Sequence, residues 1–320
     1  MNGVIRKILP PNWAFGLASG VLWGIYLFLL GHVLDDGPSQ ALSVQSLFYS
    51  LLVMVLCELS AFVWQMLTMN RKLFKEVRQH RVFLLKKGWL FLMCPVGMLC
   101  FIGALRFSPE SDVAVLTATY PVVCLLLAWF FLSYKLHRHE VWSILLATIG
   151  VILLGLTGHS SSYTALTFLG LGLALLCAIA WGAEAVICYV HVERSTETPS
   201  SYVLLWVRYL CSLVIGIPIL LILWSSFPEL IWPIGTKSIL SLFMISGLGF
   251  LSYYCYYQAI HKLGPVVALN LNISYMLWVF LFSVVTGVAI SIHTFFGGVL
   301  ILGSILFLGS RTIKRKSTDA

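Results

Sequence analysis

The sequence predicts an all-α membrane protein of ten transmembrane helices, arranged as a 5+5 inverted repeat. Three observations lead to this fold class. Of 320 residues, 60% are hydrophobic and only 10% are charged, whereas a soluble protein carries about a quarter charged residues. Apolar runs of roughly 18–25 residues recur along the chain, and this length spans the hydrocarbon core of a bilayer. Two stretches of the second half also resemble stretches of the first.

The apolar runs are continuous rather than alternating, which favours helices over a β-barrel. The loops between them are short and leave no room for a soluble catalytic domain, so we expect a protein that is not an enzyme. No phosphate-binding GxxxxGK[ST], G-x-S-x-G or H-E-x-x-H pattern is present, and we expect no cofactor. The predicted spans are 13–33, 41–67, 88–107, 112–133, 140–157, 166–190, 201–224, 238–260, 264–287 and 291–310.

Lysine and arginine decide the orientation, because they concentrate in cytoplasmic loops. With the N-terminus in the cytoplasm, the outside loops hold only Arg106 and Lys237, and we expect both termini to be cytoplasmic. The net charge of +8 therefore indicates topology rather than a nucleic-acid partner. All eight cysteines fall in apolar runs without metal-ligand spacing, so we expect no metal. The inside segments hold Arg6, Lys7, Arg71, Lys72, Lys75, Arg78, Arg81, Lys86, Lys87, Lys135, Arg138, Arg194, Lys262, Arg311, Lys314, Arg315 and Lys316.

The internal repeat has two parts. GLASGVLWG at 16–24 resembles ALLCAIAWG at 174–182, and both end in Trp-Gly. ALRFSPESDVAVLTATYP begins at Ala104 and AIHKLGPVVALNLNISYM begins at Ala259, an offset of 155 that places Tyr120 on Tyr275.

The repeat divides the chain into two five-span halves, 1–160 and 161–320. Because five is odd, the second half enters the membrane from the opposite side. Inverted repeats of this kind are typical of secondary transporters, whose substrate binds near the bilayer midplane between the halves.

The sixth predicted span carries an acidic residue, Glu184, deep in an apolar run. Ionisable residues inside a bilayer are costly and usually mark a substrate or ion path. Trp181 lies one turn earlier on the same face, and an acid beside a large aromatic suits an organic cation. The alternative is a structural ion pair between Glu184 and Arg208 of the seventh span. Glu58 of the second span is another possible partner for Arg208, and a rival cation site.

The sequence resembles the drug/metabolite transporter superfamily in its EamA-like branch. The resemblance rests on the 5+5 repeat, on Trp-Gly in the first and sixth spans, and on Arg208. The acidic residue usual after the fourth or ninth span is replaced by Tyr134 and Val288. LCAIAWGAEAV (176–186), LSYYCYYQAIHKL (251–263) and LNISYMLWVFLFSVV (271–285), with FGLASGVLWG, PVGM and TYPVVCLLLAWFFLSYKL earlier, closely resemble LicB-type bacterial choline permeases.

This resemblance implies a transporter that imports choline across the bacterial inner membrane and feeds phosphocholine decoration of surface glycans. A trimethylammonium head donates no N–H bond, so it needs aromatic faces and a nearby charge. We expect the choline hydroxyl to contact Asn272, and we expect Tyr254 and Tyr256 to pack elsewhere. The expected binding residues are Trp23, Tyr120, Trp181, Glu184, Tyr253, Tyr257, Asn272, Tyr275 and Trp278, with Glu58 and Arg208 as possible charge partners.

Other interpretations remain open at this point. Each aromatic could serve only in helix packing, and Asn272 could bond across helices. The same fold could serve as an exporter or permease for an amino acid, nucleoside or other amine, and Arg208 could then pair with a substrate carboxylate. A membrane scaffold that transports nothing is a further alternative. The sequence leaves the coupling ion and the oligomeric state undetermined.

Overall fold

A computed structural model describes residues 12–34, 44–69, 71–81, 86–108, 110–132, 135, 137–155, 164–193, 199–227, 229, 235–287 and 292–318. Several sequence-based expectations fall outside these residues. They concern Arg6, Lys7, Tyr134, Arg194 and Val288, and the ends of predicted spans at 41–43, 133, 156–157 and 291.

The described residues are largely helical and contain no strand. A short 3₁₀ helix, Gly88–Leu92, leads directly into α4. The α-helices are α1 Trp13–Leu34, α2 Val44–Thr68, α3 Arg71–Gln79, α4 Met93–Phe107, α5 Glu110–Thr117, α6 Tyr120–Leu132, α7 Arg138–Gly155, α8 Ala165–Glu193, α9 Ser201–Ser226, α10 Thr236–Leu263, α11 Pro265–Asn272, α12 Tyr275–Val285 and α13 Ile292–Thr318.

Eight stretches of the described chain are helical, long and apolar enough to cross a membrane. They coincide with the predicted spans one to four and six to nine. The predicted spans 140–157 and 291–310 coincide with α7 and the first part of α13. Neither belongs to the eight, although Phe295–Leu308 within α13 is a shorter apolar helix.

Helix packing brings distant parts of the chain together. Helix α10 packs along α1, α8 along α4, and α13 along α7. Large apolar side chains also cover the outside of the molecule, as Trp129, Phe130 and Phe131 do on α6, where each is more than half exposed. An apolar exterior of this kind is suited to lipid, since hydrocarbon tails are as apolar as these side chains.

Two of the predicted spans, 112–133 and 264–287, are interrupted within their first half. The span that contains α5 and α6 is interrupted after Thr117, and the span that contains α11 and α12 is interrupted after Asn272. The two breaks lie 155 residues apart, the offset of the sequence repeat. Pro121 contributes to the first break, because proline has no N–H to donate to the carbonyl four residues earlier. The second break has no proline.

The backbone hydrogen bonds at the two breaks correspond residue by residue. The N–H of Thr119 donates to the carbonyl of Leu116 at 3.1 Å, and the N–H of Ser274 donates to the carbonyl of Leu271 at 3.3 Å. These bonds join residues three apart, so the chain tightens locally into a 3₁₀-like turn. Broken helices near the midplane are where many transporters bind substrate.

The glycine of each Trp-Gly pair packs against the start of a helix that follows a break. A methyl group added to Gly24 would lie 3.1 Å from the carbonyl oxygen of Tyr275 and 2.6 Å from Cβ of Trp278. A methyl group added to Gly182 would lie 3.0 Å from the carbonyl oxygen of Tyr120. Helix α1 thus contacts α12, and α8 contacts α6, through equivalent positions of the repeat.

We expect Gly24→Ala and Gly182→Ala each to lower the free energy of unfolding by about 1–3 kcal/mol, because the added methyl group meets backbone that cannot move aside cheaply. The measurement is thermal unfolding of the detergent-solubilised protein. Gly31 on α1 and Gly172 on α8 have no atom within 4 Å of an added methyl group. Gly31→Ala and Gly172→Ala are therefore matched controls that should leave stability unchanged or raise it by up to about 1 kcal/mol. Equal melting temperatures for all four variants would contradict this account of the two contacts.

Candidate binding site

A cavity of about 50 Å³, which we call the small cavity, lies where the two broken spans meet α1, α8 and α10. Seven of the nine expected binding residues line it. The other three lining residues, Ser252, Tyr256 and Leu269, were not expected from the sequence. The complete lining consists of Trp23, Tyr120, Trp181, Glu184, Ser252, Tyr253, Tyr256, Leu269, Asn272 and Tyr275.

Trp181 and Glu184 line the small cavity together, one turn apart on α8. The ring of Trp181 meets the ring of Tyr120 edge to face, with centroids 6.1 Å apart. Phe101 packs against the same indole at 5.6 Å. The indole N–H of Trp181 is buried and has no hydrogen-bond partner among the described residues. The indole nitrogen lies toward α4, since a methyl group added to Gly97 would be 3.0 Å from it.

Glu184 is 4% exposed, and a buried tyrosine donates a hydrogen bond to its carboxylate. The hydroxyl of Tyr257 donates to Oε1 of Glu184 at 2.8 Å. Tyr257 itself is fully buried and does not line the small cavity. The expectation that Tyr257 contacts a ligand therefore does not match its position. Its hydroxyl instead orients the carboxylate of Glu184.

Arg208 lies between two carboxylates, which we call the Glu58–Arg208–Glu184 triad. Nη1 and Nη2 of Arg208 donate to the two oxygens of Glu58, at 2.8 and 3.2 Å. Nε of Arg208 lies 3.4 Å from Oε1 of Glu184. The guanidinium is completely buried. With all three groups ionised, the triad carries one net negative charge.

Tyr253 joins the triad to the cavity wall. The guanidinium carbon of Arg208 lies 3.7 Å from the centre of the Tyr253 ring, a cation–π contact. Tyr253 also meets Trp23 edge to face at 5.2 Å. The Tyr253 ring, which we expect to bind the ligand, is thus already in contact with the guanidinium of Arg208.

Asn272 connects the second broken span to α1 and α6. Its Oδ1 accepts from the hydroxyl of Tyr120 at 3.3 Å, and its Nδ2 donates to Oγ of Ser19 at 3.0 Å. Asn272 lines the small cavity while holding these partners. The amide therefore bridges helices and also faces the cavity, while its contact with a choline hydroxyl stays a prediction.

Two expected positions differ from the structure. Trp278 lines neither cavity described here, and its Cβ lies against Gly24 instead. Tyr256 lines the small cavity, so the expectation that it packs elsewhere is wrong. Tyr256 lies three residues after Tyr253 on α10, and residues three apart share a helix face. This spacing is the signal that could have identified Tyr256, whereas Tyr254 packs toward Tyr202, with ring centroids 6.0 Å apart.

The large cavity, of about 240 Å³, adjoins the small one. Glu58 lines it, so the two carboxylates of the triad face different cavities. Trp23 and Tyr253 line both cavities. The other lining residues are Tyr26, Leu30, Tyr49, Ser50, Val53, Met54, Cys57, Ala61, Met98, Phe101, Ile102, Leu105, Arg106, Tyr209, Ser246 and Gly249.

Known proteins with similar sequences and folds agree with this architecture. Residues 13–156 match the model of the EamA-like transporter family. The chain is 27% identical over 269 residues to protein LicB of Haemophilus influenzae (strain ATCC 51907 / DSM 11121 / KW20 / Rd), which covers 83% of this chain and 86% of that protein. A protein of known crystal structure superposes with a TM-score of 0.67 over 95% of this chain and 98% of that chain, at 16% identity, and so shares its fold. Residues 13–156 are therefore an EamA-like transporter domain, and the chain is similar to LicB over most of its length.

Proposed function

We propose that this protein is a secondary transporter that imports choline across the bacterial inner membrane by alternating access. It would supply choline for phosphocholine decoration of surface glycans. The observation that carries the proposal is the small cavity, where the Trp23, Tyr120, Trp181 and Tyr275 rings surround one carboxylate, Glu184.

The chemistry of this cavity favours a monovalent organic cation. A quaternary ammonium head is bound by aromatic faces that replace its hydration and by a nearby negative charge. With all three groups ionised, the triad supplies one net negative charge in a buried setting, because the two carboxylates share a single arginine. One charge matches one quaternary ammonium and would leave a dication half compensated.

Alternating access follows from the proposed 5+5 inverted repeat, with halves 1–160 and 161–320 and both termini cytoplasmic. The equivalent breaks after Thr117 and Asn272 support this arrangement. So do the equivalent contacts of Gly24 and Gly182 across the two halves. The substrate would bind where the broken helices of both halves meet, as in other inverted-repeat transporters.

The membrane potential can drive such uptake. An inside-negative potential favours entry of a monovalent cation by about 2.3 kcal/mol per 100 mV, which corresponds to roughly fortyfold accumulation. The membrane potential alone would therefore be sufficient to drive uptake of the cation.

The alternative substrate class, an amino acid, would need a positive group for its carboxylate. Arg208 is completely buried and already bonded to Glu58, with its guanidinium over the Tyr253 ring. It lines neither the small cavity nor the large one. The contacts of Arg208 therefore favour a cation over an amino acid.

The test is a binding titration of the purified protein with choline, with betaine, ethanolamine and tyrosine as competitors, followed by radiolabelled choline uptake into vesicles. We expect choline to bind and to be taken up. Betaine should compete poorly because its carboxylate would approach Glu184, and ethanolamine should compete poorly because its primary ammonium remains strongly hydrated. Competition by tyrosine, together with no binding of choline, would reject choline as the substrate.

A further inference from the structure

The two cavities differ in the room that they offer. The small cavity, of about 50 Å³, has about one fifth of the volume of the large cavity, of about 240 Å³. In this conformation, the large cavity therefore offers more room to a small quaternary ammonium.

The large cavity also has the chemistry of a cation site. The rings of Trp23, Tyr26 and Tyr49 line it, and the first two are stacked with centroids 4.7 Å apart. The carboxylate of Glu58 faces it, with a side chain that is 10% exposed. Aromatic rings and a partly accessible carboxylate are what a quaternary ammonium requires.

Arg106 also lines the large cavity, where its guanidinium donates to Oγ of Ser50. Ser50 lies eight residues before Glu58 on α2, which is about 12 Å along the helix axis. The arginine and the carboxylate therefore occupy opposite ends of the cavity. The end near Glu58 is the end that suits a cation.

Trp23 and Tyr253 separate the two cavities, since both line both. Their rings meet edge to face at 5.2 Å. Arg208, whose guanidinium lies over the Tyr253 ring, contacts both Glu58 and Glu184. Each cavity thus has one carboxylate of the same triad, and the Trp23–Tyr253 pair borders both cavities.

We propose that the large cavity is a second binding site for the same class of ligand, a small quaternary ammonium, which loads there against Glu58 before it passes Trp23 and Tyr253 into the small cavity. This inference rests on the proposed function. It adds a site, and it assigns Glu58 and Tyr49 to ligand binding.

Cys57 lines the large cavity beside Glu58, so labelling of its thiol can report whether a ligand occupies that cavity. The experiment labels the purified protein with methyl methanethiosulfonate, which is neutral, and with trimethylammonioethyl methanethiosulfonate, whose head resembles choline. Peptide mass spectrometry then follows the modification of Cys57 alone. We expect both reagents to modify Cys57. We expect choline at ten times its dissociation constant to slow the modification about tenfold, because about nine tenths of the sites are then occupied.

Two matched variants separate the sites. Trp181→Leu removes an aromatic that lines only the small cavity, so the overall choline affinity should fall roughly tenfold while choline still protects Cys57. Tyr49→Leu removes an aromatic that lines only the large cavity, so protection of Cys57 should require several-fold more choline. Circular dichroism of both variants checks that each remains folded.

Three results would overturn the second site. If neither reagent modifies Cys57, the large cavity is not accessible to the reagents. Protection that is lost in Trp181→Leu, or that is unchanged in Tyr49→Leu, would mean that choline acts on Cys57 only from the small cavity. In each case, choline binding by the unaltered protein would leave the proposed function standing, whereas an absence of choline binding would reject both.

Discussion

Glu184→Gln is expected to weaken choline binding by about 100-fold or more while the protein remains folded. The substitution removes the carboxylate that faces the small cavity and brings the net charge of the triad to zero. Loss of a buried charge partner costs about 3 kcal/mol or more, which is about two orders of magnitude in affinity. The fold should survive, because Glu58 still holds both terminal nitrogens of Arg208.

The measurement is a choline titration of the purified variant, with thermal unfolding as the check of its fold. Glu140→Gln is the matched control, since Glu140 is also buried, at 5% exposure, but lines neither cavity. We expect its choline affinity to equal that of the unaltered protein. An unchanged affinity in Glu184→Gln would transfer the charge role to Glu58 or remove it altogether.

Arg208→Met is expected to destabilise the protein by about 3–5 kcal/mol, because it leaves two buried carboxylates without their common partner. The double variant Glu58→Gln/Arg208→Met should regain part of this stability, because only one buried carboxylate then lacks its partner. It again holds a single carboxylate, that of Glu184, so it should also bind choline. The two readouts are the melting temperature in detergent and the choline titration.

Arg78→Met on α3 provides the control, because Arg78 is exposed, and surface substitutions usually change stability by less than about 0.5 kcal/mol. If Arg208→Met unfolds no more easily than Arg78→Met, the triad does not hold the helices together. If the double variant is stable but does not bind choline, one net negative charge is not sufficient for recognition and Arg208 itself contributes.

The sequence predicted which residues would meet, because the repeat and the helical spacing are both properties of the linear chain. Trp181 and Glu184 share a face of α8 by their spacing, and Tyr120 and Tyr275 occupy equivalent positions of the repeat. The structure brings all four to the small cavity. That these side chains bind a ligand stays a prediction, which the titrations above address.

Tyr257 and Trp278 show where spacing is insufficient. Both share a helix face with an expected binding residue, but a face several residues wide can point one side chain into a cavity and another into a helix contact. Tyr257 is used to hold Glu184, and Trp278 packs against Gly24. Periodicity gives the direction of a side chain around the helix axis, but the neighbouring helix decides what that side chain touches.

The sequence by itself determined the class of the molecule and its apolar helices, and it predicted the two repeats. These follow from composition and periodicity, which depend only on local chemistry. Only the tertiary structure decided the partner of Arg208, since Glu58 and Glu184 were both open to it and the arginine contacts both. It also decided that two cavities, rather than one, lie beside that triad. A buried charge must find its counter-charge in three dimensions, and that choice depends on helix packing that no single stretch of the chain encodes.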